Sequence, residues 1–161
     1  MNNIVETNLS KKGYADIENA CPYYEVAGEG PTLVLVHVGC ADRRMCDTQF
    51  STFARRYRVV RYDIRGYGNS TLPPGSFSNR QDLDQLLDFL GIQKAHFIAC
   101  SMDGLTVTDF ALDHPGKVVS LVLASPAVSG YGYEGSPPLP VLELIAARRE
   151  SEIERAAELQ A

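Results

Sequence analysis

The sequence predicts an α/β protein, a mostly parallel and doubly wound sheet with flanking helices on both faces. Three observations lead there. Short runs rich in β-branched residues and leucine recur along the middle of the chain, as in strands buried on both faces. Segments of helical spacing fall between those runs. Glycine, proline and serine gather in the loops that follow them.

The elements can be justified in order. Residues 14–18 and 23–26 are short alternating segments, expected to form an antiparallel pair. Gly28, Gly30 and Pro31 make a turn into the unbroken run at 32–37, a strand covered on both faces. Phe50, Phe53, Ala54 and Tyr57 recur at helical spacing, and 58–63 reads as another strand. Residues 65–76 are loop. Residues 78–90 give the clearest helix. Ser78 and Gln81 form a capping-box pattern, Leu83, Leu86, Leu87 and Leu90 make one apolar stripe, and Gly91 supplies the stop. A third buried strand is expected at 95–100, a helix at 102–114 ended by Pro115, and a fourth buried strand at 118–124. The texture then changes. Residues 125–140 hold Gly130, Gly132, Gly135, Pro137, Pro138 and Pro140 and read as a linker. Residues 140–161 are a charged helix candidate, with Arg148 and Glu152 spaced for an ion pair. Residues 1–124 thus form the core portion, and 125–161 a linker with the start of a helical segment.

Composition narrows the function. Of 161 residues, 45% are hydrophobic and 22% charged, the balance of a folding globular chain. The formal charge of -5 argues against nucleic acid or an anionic membrane as partner. No apolar run is long enough to span a bilayer. The first residues lack a basic region followed by an apolar core, so a cytoplasmic location is expected. Cys21, Cys40, Cys46 and Cys100 are scattered without a Cys-x-x-Cys pair. This argues for reduced thiols and against a zinc site.

Four features fall at the carboxyl ends of the expected strands, where a doubly wound sheet places ligands. They are His37-Val38-Gly39, the loop Asp63-x-Arg65-Gly66-x-Gly68-x-Ser70, the segment Ala99-Cys100-Ser101-Met102-Asp103-Gly104, and His114-Pro115-Gly116. In this order and spacing they resemble the α/β-hydrolase family, in its esterase, lactonase and C–C hydrolase branch, over roughly residues 23–130. The resemblance implies a serine nucleophile at Ser101, on a sharp strand-to-helix turn where a base can reach its hydroxyl. It implies oxyanion donors from the backbone N–H of Met102 and from the loop after His37, at Gly39. His37, Asp63, Arg65 and Ser70 would brace the loops beside the site. His96 and His114 would be structural. A small-molecule acyl substrate is implied, with no metal and no organic cofactor. Outside that pattern Ser101 has a plainer reading, because serine is common at helix N-termini.

The chain departs from the family pattern at several points. Val38 stands where the family has glycine, and a β-branched residue there would be strained if the backbone needed positive φ. Ala99 replaces another glycine at the cost of a methyl group. Asp103 replaces a third. Its charge would suit a helix N-terminus but oppose an oxyanion forming nearby. The family places its catalytic acid and histidine after the nucleophile, beyond a helical cap. No histidine follows His114, and the acids after residue 124 do not sit just past a core strand. The expectation is therefore a truncated hydrolase fold, nearly inactive alone, that self-associates or joins a complementing C-terminal fragment through an open sheet edge. Two alternatives stand beside it: a non-catalytic module that binds a small molecule or a partner, and a fragment without function.

Overall fold

The structure, a computed structural model, describes residues 9–130. Its strands are β1 (Leu9–Tyr14), β2 (Tyr23–Ala27), β3 (Thr32–Val36), β4 (Arg58–Tyr62), β5 (Ala95–Cys100) and β6 (Val118–Ala124). They form one six-stranded sheet in the order β1-β2-β4-β3-β5-β6. The pairs β1–β2 and β2–β4 are antiparallel, and the pairs β3–β4, β3–β5 and β5–β6 are parallel. Each parallel crossover carries a helix: α1 (Asp47–Phe53) after β3, α2 (Asn79–Phe89) after β4 and α3 (Met102–Asp113) after β5.

Both faces of the sheet are covered around β3 and β4, which explains the unbroken apolar run of β3. Successive side chains of a strand point to opposite faces. Val34 and Val36 of β3 join Leu83, Leu86 and Leu87 of α2 and Phe110 of α3 in one cluster. Leu33 and Leu35, their immediate neighbours, join Phe50 of α1 and Val59 of β4 in the other. The α2 signals hold at atomic level. The Ser78 side chain accepts from the Gln81 amide at 3.4 Å, and Gly91 takes the left-handed φ of +65° just past the helix end.

Three elements differ from the sequence reading. The first strand lies at Leu9–Tyr14, not at 14–18. Residues 15–20 instead fold into a turn, in which the Ala15 amide donates to Pro22 O at 2.9 Å and the Ile17 amide to Ala20 O at 3.1 Å. Lys11 and Lys12, which mark this strand as a polar edge, concealed it. The Lys11 ammonium rests over the Tyr24 and Phe89 rings at 5.7 and 5.6 Å. Secondly, α1 stops at Phe53, and Ala54 to Tyr57 make a turn rather than a further helical turn. Thirdly, β6 is not buried: Val119 and Val122 are 53% and 57% exposed. It is the last strand of the described sheet and has a neighbour on one side only. Composition cannot separate such an edge from a central strand.

Among the described residues no helix is long and apolar enough to cross a membrane. The linker beyond Gly130 and the helix read at 140–161, with its Arg148–Glu152 pair, lie outside the described residues.

Candidate active site

Ser101 alone joins β5 to α3. Its backbone sits at φ 54°, ψ −128°, which a non-glycine residue adopts only when its surroundings enforce it. The enforcement is visible. The Ser101 amide donates to Ala124 O at 3.1 Å, while its carbonyl accepts from the amides of Gly104 at 3.0 Å and Ala127 at 2.9 Å. The chain after β6 therefore clamps the turn. It packs so closely that a Cβ on Gly104 would fall 2.6 Å from Pro126 Cβ.

The loop after β3 lies against the start of α3. A Cβ on Gly39 would stand 3.4 Å from Met102 Cβ. Gly39, Ser101 and Met102 are thus brought together. Val38 is not strained: among the described residues the non-glycine positions at positive φ are Asn19, Ser101 and Ser125. Its amide donates to Met45 Sδ at 3.3 Å and its carbonyl accepts from the Ala41 amide at 3.1 Å. The loop turns without needing a glycine at residue 38.

His37 is buried at the end of β3 with both ring nitrogens engaged. Nδ1–H donates to Val38 O at 2.8 Å, and Nε2 accepts from the Ile64 amide at 3.0 Å. This pairing fixes the neutral tautomer. Burial, the largest influence, holds the imidazole below its usual range. The ring fastens β3 to the segment after β4.

That segment is cross-braced. Asp63 Oδ1 accepts from the Arg43 amide at 2.9 Å, and Oδ2 accepts from the Arg43 guanidinium at 2.7 Å and from the Asn69 amide at 2.8 Å. The Ser70 hydroxyl donates to Asp63 O at 2.6 Å and accepts from the Tyr23 amide at 2.9 Å. Arg65 points to another partner. It forms a two-pronged pair with Asp82 of α2, at 2.8 and 2.6 Å, and also reaches the Asn19 carbonyl. Arg43 and Asp82 were not singled out in the sequence. Arg43 lies 20 residues from Asp63 and in a 3-10 turn of four residues, Arg43–Cys46, so no local pattern marks the pair.

The remaining histidines lie elsewhere. His96 Nδ1 pairs with the Ser120 hydroxyl at 2.8 Å, five positions before Ser101 along β5, or about 16 Å at strand rise. His114 is at the far end of α3, and twelve helical residues span about 18 Å. Asp103 is the unexpected occupant of the site. It is buried, its Oδ2 has no hydrogen-bond partner, and burial pushes its carboxyl up to about 7. Desolvation thus works against the charge that the helix N-terminus would favour. Among the described residues no group of three His, Cys, Asp or Glu side chains could hold a metal ion.

A doubly wound sheet with a clamped, strained serine at the carboxyl edge of its parallel strands defines the class. The chain belongs to the α/β-hydrolase fold family, whose model matches residues 31–150. It is 25% identical over 156 residues to 2-hydroxy-6-oxo-6-phenylhexa-2,4-dienoate hydrolase of Comamonas testosteroni, covering 90% of this chain and 54% of that one. The enol-lactonase of Burkholderia xenovorans is 31% identical, with a TM-score of 0.73 over 86% of this chain and 54% of that one. The naproxen esterase of Bacillus subtilis is 27% identical, with a TM-score of 0.75 over 86% and 50%. The chain thus spans about half the length of these relatives.

Proposed function

We propose that this chain carries the nucleophile portion of a serine hydrolase acting on an ester, a lactone or a related acyl compound. Ser101 Oγ attacks the acyl carbon while its proton passes to a general base. The alkoxide leaves protonated, and water then releases the acid from the acyl-enzyme. The amides of Met102 and Gly39 hold the oxyanion. His37, Asp63, Arg65 and Ser70 brace the loops around it.

One observation carries the reading: a serine held at φ 54° by three backbone hydrogen bonds at the strand–helix junction. Strain of this kind persists at functional sites because it presents a side chain in a fixed direction. His37 and His96 are held in other contacts and His114 lies at the far end of α3, so the base is to be supplied by further residues or a second polypeptide. The apolar edge of β6 favours self-association or a complementing fragment. Alone, these residues should turn over slowly, because a triad without its histidine loses most of its rate. Asp103 favours a second reading, a ligand-binding module without chemistry.

The test is covalent labelling by a fluorophosphonate, with Ser101→Ala as the control. Labelling of the native chain but not of the variant supports an activated nucleophile. Equal labelling of both, or of neither, overturns it and leaves the binding module.

A further inference from the structure

Asp103 follows Met102 in the first turn of α3, two residues past Ser101. The residue is 3% exposed, and its Oδ2 is buried with no hydrogen-bond partner. That oxygen stands 3.8 Å from where a Cβ on Gly39 would lie, so the carboxyl group backs onto the loop that packs against Met102, the residue after Ser101. Tyr62 of β4 is buried with its own hydroxyl unpartnered, and burial together with the charges of Asp103 and Asp82 raises its pKa. Asp82 of α2 is already held by Arg65. The Gly39 loop brings backbone, and the chain after β6 brings Pro126 against Gly104.

The amides of the first turn of α3 carry the partial positive charge of the helix N-terminus. An ionised Asp103 and an oxyanion at Ser101 would compete for that charge and repel each other across a medium of low dielectric. We propose that Asp103 is a positioning residue that decides when the Ser101 site accepts negative charge. The neutral carboxyl leaves the helix N-terminus to the oxyanion, and the carboxylate takes it away. The proposal rests on Ser101 acting as the nucleophile. Burial lifts the carboxyl to about 7, so the change falls near neutrality rather than in acid.

A fluorophosphonate reads this directly. The bond from Ser101 Oγ to phosphorus forms, the bond to fluorine breaks, fluoride leaves, and the hydroxyl proton passes to solvent. The phosphoryl oxygen carries the negative charge in the transition state. Labelling rates of the 161-residue chain and of Asp103→Asn and Asp103→Gly are to be compared from about pH 5.5 to about pH 9, each as a ratio to native. Below the Asp103 midpoint the ratios should be near one. Above it they should rise roughly tenfold to a hundredfold, since one unit charge close to the oxyanion is removed. Asparagine keeps the shape of the side chain, so a packing effect alone would shift its ratio equally at every pH. Ratios that do not change with pH, while the labelling depends on Ser101, overturn this proposal and leave the serine hydrolase reading intact. No Ser101-dependent labelling in any variant at any pH overturns both.

Discussion

Asp63 holds Arg43 twice, with Oδ1 accepting from its amide at 2.9 Å and Oδ2 from its guanidinium at 2.7 Å. The end of β4 is thereby fastened to the 3-10 turn that closes the Gly39 loop. Asp63 is fully buried, and Arg43 is mostly so. Removing Asp63 leaves the mostly buried Arg43 guanidinium to Glu25 alone, at 3.2 Å, and strands the amides of Arg43 and Asn69. Asp63→Ala should cost about 3–5 kcal/mol in urea denaturation. Asp63→Asn should cost less, because it still accepts from the Asn69 amide. Asp63→Ala with native stability would mean that the network is decorative.

The same carboxylate explains a glycine. Gly68 has a φ of +51°, and a Cβ there would fall 2.4 Å from the Asp63 carboxyl carbon. Gly91 has a similar φ of +65° but nothing within 4 Å of that position. Gly91→Ala should therefore show the conformational cost alone, about 1–2 kcal/mol. Gly68→Ala should cost clearly more, because it also displaces Asp63. Equal shifts in denaturation midpoint would remove the steric part of the argument.

How much of this was legible depends on the range of the forces involved. Residues 32–36, 58–62 and 95–100 announce buried strands because covering both faces leaves no polar alternation. Ser78 and Gly91 mark α2 because capping is local chemistry. The edges of the sheet are harder. Lys11 and Lys12 hide β1, and Val119 and Val122 make β6 look internal, because exposure there depends on neighbours rather than composition. In the site, the strand–turn–helix pattern around Ser101 is local and readable. Arg43 on Asp63 and Asp82 on Arg65 are contacts between distant segments and leave no periodic trace. The Asp103 carboxyl is plain in the sequence, but its desolvation appears only once Gly39 and Tyr62 are placed around it.

The conformation of Ser101 gives a stability prediction of opposite sign. At φ 54°, ψ −128° a side chain is strained, and glycine is not. Ser101→Gly should raise stability by about 1 kcal/mol, the relief of strain being partly offset by the greater freedom of the unfolded chain. Ser101→Ala retains the Cβ and should leave the melting temperature near native. A destabilised Ser101→Gly would show that the hydroxyl, and not the backbone clamp, holds the turn.

Asp103 should leave a signature in the pH dependence of folding, independent of any chemistry at Ser101. Burial pushes its carboxyl up to about 7 in the fold, against about 3.8 for the exposed group. Between those values the folded chain keeps a proton that the unfolded chain has released. Stability from this group is therefore lost as pH rises from about 4 towards 7, and the loss then levels off. The full effect is at most about 4 kcal/mol. His37 acts in the other direction: its lowered pKa means that stability is lost as pH falls below 6.5, where the unfolded imidazole takes up a proton. The two contributions are separable by substitution. Asp103→Asn cannot titrate, so its stability relative to native should grow as pH rises to neutrality and stay constant above it, while any decline in acid remains. Parallel curves for native and Asp103→Asn would mean that the carboxyl is ionised throughout. The N-terminal amides of α3 would then be neutralising it, and the pH-dependent control of Ser101 would lose its physical basis.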